Sequence, residues 1–585
     1  MNDVHGWLEA FDQALGSGDS EAIAALFLAE GFWRDHVAFG WTLATHEGGA
    51  AIAAFAADRA LATGASGWKS EAPAGASEGY ISFETALGRG KGYLRLVGDK
   101  ALTLYTALVE LKGFEEPLGT RRPSGMAGDP EGRGRSWKQL LGDETASYAA
   151  GKNPYVLVIG AGQSGLAIGA RLRMLSVPCL LVDKYPRIGD QWRSRYDSLT
   201  LHDPVWYDHM PYVPYPAHWP VYSPKDKVGD WLEYYAGIME LPVWNSTECV
   251  RAAYDSARAR WDVTLRRETE DGSREHVLHP DHLIMAVGNA GFAKMPQIPD
   301  QQDFKGTLRH SSAHPGGAEF SGKRVIVIGA NNSAHDIAAD LVIHGAEPVM
   351  IQRSSTHIVR QTTMTDVMLK PLYSQEAVDS GMTTERADMM VASVPLRLSE
   401  AGARATWNAL QVSEAPFYES LTKAGFAIDF GEDGTGIAMN FLRTSSGYYL
   451  DVGACDMVID GRIAVRSGLA IDRLVEDGLI LSDGSHERAD AIICATGFGT
   501  MAEWVSRLIS PEVADQVGPC WGYGSGVRGD PGPWEGEIRN MWKPTTVPGL
   551  WFMGGNFALG RYYSRLLALQ LKARYEGLPV EPYAA

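Results

Sequence analysis

What this chain of 585 residues lacks narrows its function before any motif is read. Its five cysteines, Cys179, Cys249, Cys455, Cys494 and Cys520, lie far apart and form no C-x-x-C, so neither a zinc site nor a dithiol redox centre is indicated, and a reducing compartment fits. Positive charge is in deficit. A formal net charge of −18 argues against nucleic acid or an anionic membrane surface as partner, since both need basic patches. No run approaches the ~18 apolar residues of a membrane span. The opening MNDVHGWLEAFDQAL has no basic region followed by an apolar core. The expectation is a cytoplasmic protein with no metal and no membrane attachment. Hydrophobic content of 45% and charged content of 21% are ordinary for a globular enzyme, and this length allows roughly three or four domains.

What is present is organised around Tyr155 to Lys184. Tyr155 to Ile159 is a short apolar run without polar alternation, as a parallel strand covered on both faces requires. Gly160, Gly162 and Gly165 then give G-x-G-x-x-G. The first glycine allows the tight turn, the second lets backbone approach a pyrophosphate, and the third lets helix and strand pack closely. A pyrophosphate would sit on the amides opening the helix, at Gln163 and Ser164. The next strand ends at Asp183, followed by Lys184, where a ribose hydroxyl would be bound.

The unit recurs. Gly160 to Lys184 and Gly329 to Arg353 both span 25 residues and superpose without a gap, which implies two nucleotide sites. In the second turn (Gly329, Asn331, Asn332, Ser333) Asn331 replaces the middle glycine and Ala334 the last, and asparagine tolerates left-handed backbone. Asp183 aligns with Gln352 and Lys184 with Arg353, which Ser354 follows. An Arg beside a neutral residue suits a 2′-phosphate that a carboxylate would repel. The first unit is therefore expected to take FAD and the second NADPH, with NADH compatible because Gln352 could bond a free 2′-hydroxyl.

Ahead of these units, Val4, Trp7, Leu8, Phe11 and Leu15 have helical spacing, Ser20 can cap a second helix, and Gly92 to Leu111 is β-rich. Helices followed by a curved sheet in this length resemble the small α+β cone of SnoaL-like polyketide cyclases and ketosteroid isomerases. WRDH at Trp33 to His36 could mimic the acid/base pair of such cones, although Trp33 in the core with Arg34 and Asp35 as surface or paired charges is favoured. Residues 117–135 are dominated by Gly, Pro and Arg, the composition of a connector. After the first unit, prolines at 204, 211, 214, 216, 220 and 224 exclude regular structure from an aromatic loop. Trp261 to Leu265 with Val277 to Ala286 suggest an antiparallel pair. Residues 360–445 are the least readable part.

From residue 154 onward the chain resembles the class B flavoprotein monooxygenases, a group that includes flavin-containing monooxygenases, the plant YUCCA enzymes and Baeyer-Villiger monooxygenases. The resemblance rests on GAGQSG at Gly160, GDQW at Gly189 to Trp192, F-x-G-x-x-x-H-S at Phe304 to Ser311, the turn at Gly329, YLDVGA at Tyr449 to Ala454 and ATGF at Ala495 to Phe498. GDQW and YLDVGA look most like the YUCCA forms. The likeness implies an α/β fold of two dinucleotide-binding Rossmann-type domains, for FAD and NAD(P), preceded by the SnoaL-like cone. Expected boundaries are 1–116 for the cone, 117–153 for the linker, 154–315 and 489–585 for the two parts of the FAD domain, and 316–488 for the NAD(P) domain. It adds Gln191, Trp192, Phe498 and Asn556 to the expected cofactor contacts. Two departures stand out. The F-x-G motif ends in His314 where the family has an aromatic residue, and the position after GDQW that carries Asn or Asp is approached here only by Thr200, His202 and Asp203, so His202 and Asp203 are the expected catalytic residues. The activity implied is NAD(P)H- and O2-dependent oxygenation of a small molecule through a flavin C4a-(hydro)peroxide, with Baeyer-Villiger oxygenation of ketones or 2-oxo acids first and N- or S-oxygenation of amines or sulfides second. A non-catalytic flavin-binding regulatory protein is the alternative of another class. A homodimer is expected by analogy with cones that pair through their sheets.

Overall fold

The computed structural model describes residues 3–71, 75–125, 133–288 and 291–583. Part of the expected connector, 126–132, lies outside the described residues.

The amino-terminal helix Val4–Ser17 starts at Asp3, whose carboxylate accepts from Gly6 N, and stops at Gly18, which takes the left-handed conformation that glycine adopts without steric cost. Its face of Val4, Trp7, Leu8 and Phe11 packs on a six-stranded sheet. The sheet runs Leu43–Glu47, Phe27–His36, Lys100–Leu111, Gly88–Val97, Glu78–Glu84, Ser66–Ser70, antiparallel except between the second and third strands.

The first nucleotide unit forms a five-stranded parallel sheet in the order Leu550–Phe552, His282–Met285, Val156–Ile159, Cys179–Val182, Val243–Trp244. Every residue of Val156–Ile159 and Cys179–Val182 is buried: helix Gln163–Met174 packs on both strands, and strands Thr247–Asp255 and Arg260–Thr269 pack against Cys179–Val182 and His282–Met285. The second unit forms another parallel sheet in the order Thr307–His310, Ala491–Cys494, Arg324–Ile328, Glu347–Gln352, Ala464–Ser467. This corrects the expected boundaries. Ala491–Cys494, assigned to the FAD domain, and Thr307–His310, assigned to its first part, both pair in the second sheet, Ala491 lying opposite Thr307 on one side and Val325 on the other. Apolar runs of equal length fit either parallel sheet, so only pairing decides membership. The suggested antiparallel pair is also redistributed. Thr247–Asp255, Arg260–Thr269 and Gly272–Leu278 make a three-stranded antiparallel sheet, while His282–Met285 joins the first parallel sheet.

Residues 361–444 fold mainly as helices, among them Thr384–Ala392 and Leu396–Ser413, over a short parallel sheet of Ile428–Asp429, Thr356–Arg360 and Tyr448–Asp451. The long helix Phe557–Tyr575 returns to pack on Gln163–Met174 and on the amino-terminal sheet. There the WRDH segment is buried: Trp33 is core, while Arg34 forms a two-bond pair with Glu537 at 2.6 Å and donates to the carbonyls of Ala392 and Val394. Asp35 accepts from Thr106 and from the amides of Phe39 and Gly40, and burial pushes its carboxyl up to about 7. His36 faces Tyr105 and Glu537, and burial lowers it to about 4. Arg34 and Glu537 are thus a buried charge pair, whereas Asp35 is held by neutral donors alone. Among the described residues no helix is long and apolar enough to cross a membrane.

Candidate active site

Gly160 ends its strand at φ 103°, and a Cβ there would stand 2.5 Å from Ala286 O. At Gly165 a Cβ would fall 1.9 Å from Gly160 O, so helix and turn touch backbone to backbone. Gly162 caps the helix Gln163–Met174 in extended conformation, and the only atom near its absent Cβ is Gln191 Nε2 at 3.3 Å. The first-turn amides thus open toward the side chain of Gln191. Both amide atoms of Gln191 are buried without a hydrogen-bond partner, and so is Trp192 Nε1. Buried polar atoms are rarely left orphaned unless a ligand satisfies them, and a glycine cradle beside an unpaired amide fits a dinucleotide pyrophosphate. The short helix Asp190–Arg193 that carries Gln191 and Trp192 starts at left-handed Gly189, pressed against Gly229 backbone. Ser164 is buried and Gln163 half-buried in the same helix start.

Asp183 accepts from Ala161 N at 2.7 Å and Tyr185 N at 3.0 Å, and burial raises its carboxyl. A carboxylate has about four acceptor sites, so capacity for a ribose remains. Lys184 is exposed beside it and lines a cavity of about 360 Å³ with Tyr185, Ser246 and Arg266.

The second turn repeats the geometry with two corrections. Gly329 has φ 132° and approaches Ala495 O, but Asn331 is extended at φ −100°, so left-handed tolerance is not what admits it. Glycine at the middle position serves close approach, and Asn331 narrows that approach. Gln352 is fully buried: its Oε1 accepts from Ala427 N and Ser467 Oγ and its Nε2 donates to Ala427 O. It cannot bond a free 2′-hydroxyl, and its reading as a ribose contact is withdrawn. Asn332 is likewise committed, accepting from Leu450 N. Ser333 is half-buried in the first helical turn, and Arg353 and Ser354 are exposed at the strand end.

Between the two turns runs the loop after GDQW. His202 Nε2 lies 3.9 Å from Asp336 Oδ2 on the second nucleotide helix Asn332–Ile343, and Tyr196 donates to the same oxygen at 2.6 Å. Burial raises Asp336, whose Oδ1 is unpaired. Asp203 is pushed up to about 6 by burial, opposed by His202. Tyr207 accepts from Asn556 Nδ2 at 3.1 Å, and Asn556 caps the carboxy-terminal helix through Leu559 N. Phe498 packs edge-on to His310, whose Nε2 faces Gly497 O. His314 is buried, 3.6 Å from Asp340, stacked on Phe320 and 6.5 Å from the ring of Tyr196. Sequence reasoning missed Asp336, Tyr196 and Tyr207. Asp336 stands four residues after Asn332, hence on the same helix face as the turn, which was the available signal.

Paired parallel sheets, each with a glycine turn feeding a helix, and a polar loop bridging them define a two-nucleotide oxidoreductase fold. Residues 157–415 match the pyridine nucleotide-disulphide oxidoreductase family, although the five cysteines are all unpaired and buried. The chain is 29% identical over 347 residues to indole-3-pyruvate monooxygenase YUCCA1 of Oryza sativa subsp. japonica, covering 59% of this chain and 77% of that protein. It is 29% identical over 359 residues to YUCCA6 of Arabidopsis thaliana, covering 60% and 78%. The fold is shared with cyclohexanone monooxygenase in its open form at TM-score 0.52 and 16% identity, covering 72% of this chain and 88% of that one. It is shared also with OTEMO, solved in complex with FAD and NADP, at TM-score 0.50 and 18% identity, covering 73% and 87%. The chain is thus similar to the flavin-dependent monooxygenases over its nucleotide-binding part, and it is an enzyme.

Proposed function

We propose that the first unit takes FAD and the second NADPH, and that the enzyme inserts one oxygen atom of O2 into a small ketone or 2-oxo acid, the other leaving as water while NADPH is oxidised. The observation that carries this reading is the orphaned Gln191 amide over the Gly162 cradle, with His202 and Asp203 on the loop between the two turns. When bound, FAD accepts hydride and activates oxygen, and that chemistry belongs to the cofactor. The chain's own residues bind and orient. The amides opening the helix at 163–165 would face the pyrophosphate and Asp183 the ribose, Arg353 and Ser354 would meet the 2′-phosphate, and Asn556 opens a helix whose positive end favours developing negative charge. His202 and Asp203 hold or move a proton at their Nε2 and carboxylate, and the proline-rich loop excludes water.

One observation favours a second reading, oxygenation of an amine or sulfide. Asp203 and Asp336 both hold protons more tightly than ordinary carboxylates, which suits proton donation at the site. Assaying a bicyclic ketone and a tertiary amine side by side decides: ester formation is expected, and rapid N-oxide formation without ester reverses the order. We read residues 1–116 as a SnoaL-like cone that pairs two subunits, a homodimer that light scattering would report as twice the 63.6 kDa chain mass. A cytoplasmic location is supported by the five unpaired buried thiols.

A further inference from the structure

The carboxy-terminal helix carries a buried cation that the glycine turns do not explain. Arg561 is 6% exposed and sits about one and a half turns after Asn556. Its Nε and Nη2 grip both oxygens of Asp388 at 2.8 and 2.7 Å, on the helix Thr384–Ala392. Its Nη1 donates to the carbonyls of Tyr207 at 2.7 Å and His209 at 2.9 Å. Four of the five guanidinium hydrogens are thus used, a fork that lysine cannot reproduce.

The same three segments meet through other contacts. Tyr373 donates to Asp388 at 2.9 Å and its ring stands edge-on to Tyr207 at 4.9 Å. His209 Nε2 contacts Thr384 Oγ1 at 3.2 Å. The upstream end of the loop is held by the first residue of the insertion, Gln361 donating to His202 O at 3.1 Å. Backbone bonds shape the loop locally, Tyr207 and Asp208 donating to Pro204 O and Val205 to Val221 O, but its place against the rest of the protein depends on what its outward carbonyls accept from.

We propose that Arg561 is a positioning residue for the oxygenation reaction. Its Asp388 pair on one side and its bonds to the Tyr207 and His209 carbonyls on the other lock the 202–210 loop between the carboxy-terminal helix and the helical insertion at 361–444. The insertion thereby sets where His202 and Asp203 stand. The role of those two residues rests on the monooxygenase reading above; the clamp does not.

The test uses full-length, FAD-loaded protein carrying Arg561→Lys, Arg561→Met or Asp388→Asn. Amide hydrogen exchange over residues 200–212 is expected to accelerate at least tenfold in each, with residues 157–166 exchanging as in the parent. The visible flavin band is expected to shift in Arg561→Met and to be restored partly by Arg561→Lys. With a bicyclic ketone, the share of oxidised NADPH that appears as oxygenated product rather than hydrogen peroxide falls at least fivefold. Arg561→Lys and Asp388→Asn carry the test if Arg561→Met does not fold. Unchanged exchange over 200–212, or coupling lost only in proportion to lost FAD, overturns the proposal. Parent protein that binds no FAD would sink the monooxygenase reading instead, while the exchange result still judges the clamp.

Discussion

Gln352 and Arg353 are adjacent, yet the backbone turns one inward and the other into solvent. Gln352→Ala would strand the Ala427 backbone groups, while Ser467 Oγ keeps Gly425 O, a loss of roughly 2–4 kcal/mol in urea unfolding, with no change in coenzyme preference. Arg353→Ala should instead raise KM for NADPH at least tenfold more than KM for NADH; equal effects would refute a 2′-phosphate contact. Asp203 gives a pH prediction. Its carboxyl lies at about 6, above the ~3.9 of an unfolded chain, so its contribution to stability is full below pH ~4 and is lost as pH rises through about 6. Asp203→Asn should therefore raise the urea midpoint relative to the parent above pH 7 and leave it unchanged near pH 4. The acid at position 183 and the basic residue at 353 could be read from their place after apolar strands. The inward commitment of Gln352 could not, because its partners Ala427 and Ser467 lie 75 and 115 residues further on.

The two nucleotide helices begin alike but impose different demands on their glycines. Gly165→Ala would drive a Cβ into Gly160 O, backbone against backbone, and should leave little folded, flavin-binding protein. Gly162→Ala meets only the end of the Gln191 side chain. Its circular dichroism and melting temperature should stay near the parent's while bound FAD, read from the absorbance ratio at 450 and about 280 nm, falls at least fivefold. Equal retention of FAD would show that the cradle does not receive the pyrophosphate. The strand–turn–helix pattern of both units was legible because periodicity changes from continuous burial to helical spacing at the glycines. Which sheet Ala491–Cys494 joins was not, since a fully buried strand carries no signature of its neighbours.

Across the whole molecule, the amino-terminal sheet is fastened to the nucleotide-binding body by Glu537, which accepts from Arg34 and Thr45 and faces His36. Burial alone would raise this carboxyl, but the Arg34 guanidinium and His36 outweigh it and hold it well below the ordinary range. Its stabilisation is therefore present above pH ~4.5 and is lost as pH falls through the folded value. Glu537→Ala leaves Arg34 buried without its countercharge and should cost about 3–5 kcal/mol, read as a lowered melting temperature and faster protease cleavage near residues 112–125. Unaltered cleavage would mean that the sheet's other ties, among them the hydroxyl bond of Tyr105 to Tyr562 on the carboxy-terminal helix, hold it without Glu537. The sequence by itself determined the two nucleotide units, their order and the contrast of Asp183 with Gln352 between them, because each depends on residues within one 25-residue stretch where local spacing records the fold. Only the tertiary structure decided the partners of WRDH, the burial of His314, and the meeting of Arg561 with Asp388 and the loop at 207–209. Those contacts join residues up to 503 positions apart, and a charge in a sequence shows neither whether it will be buried nor which distant charge will make that burial tolerable.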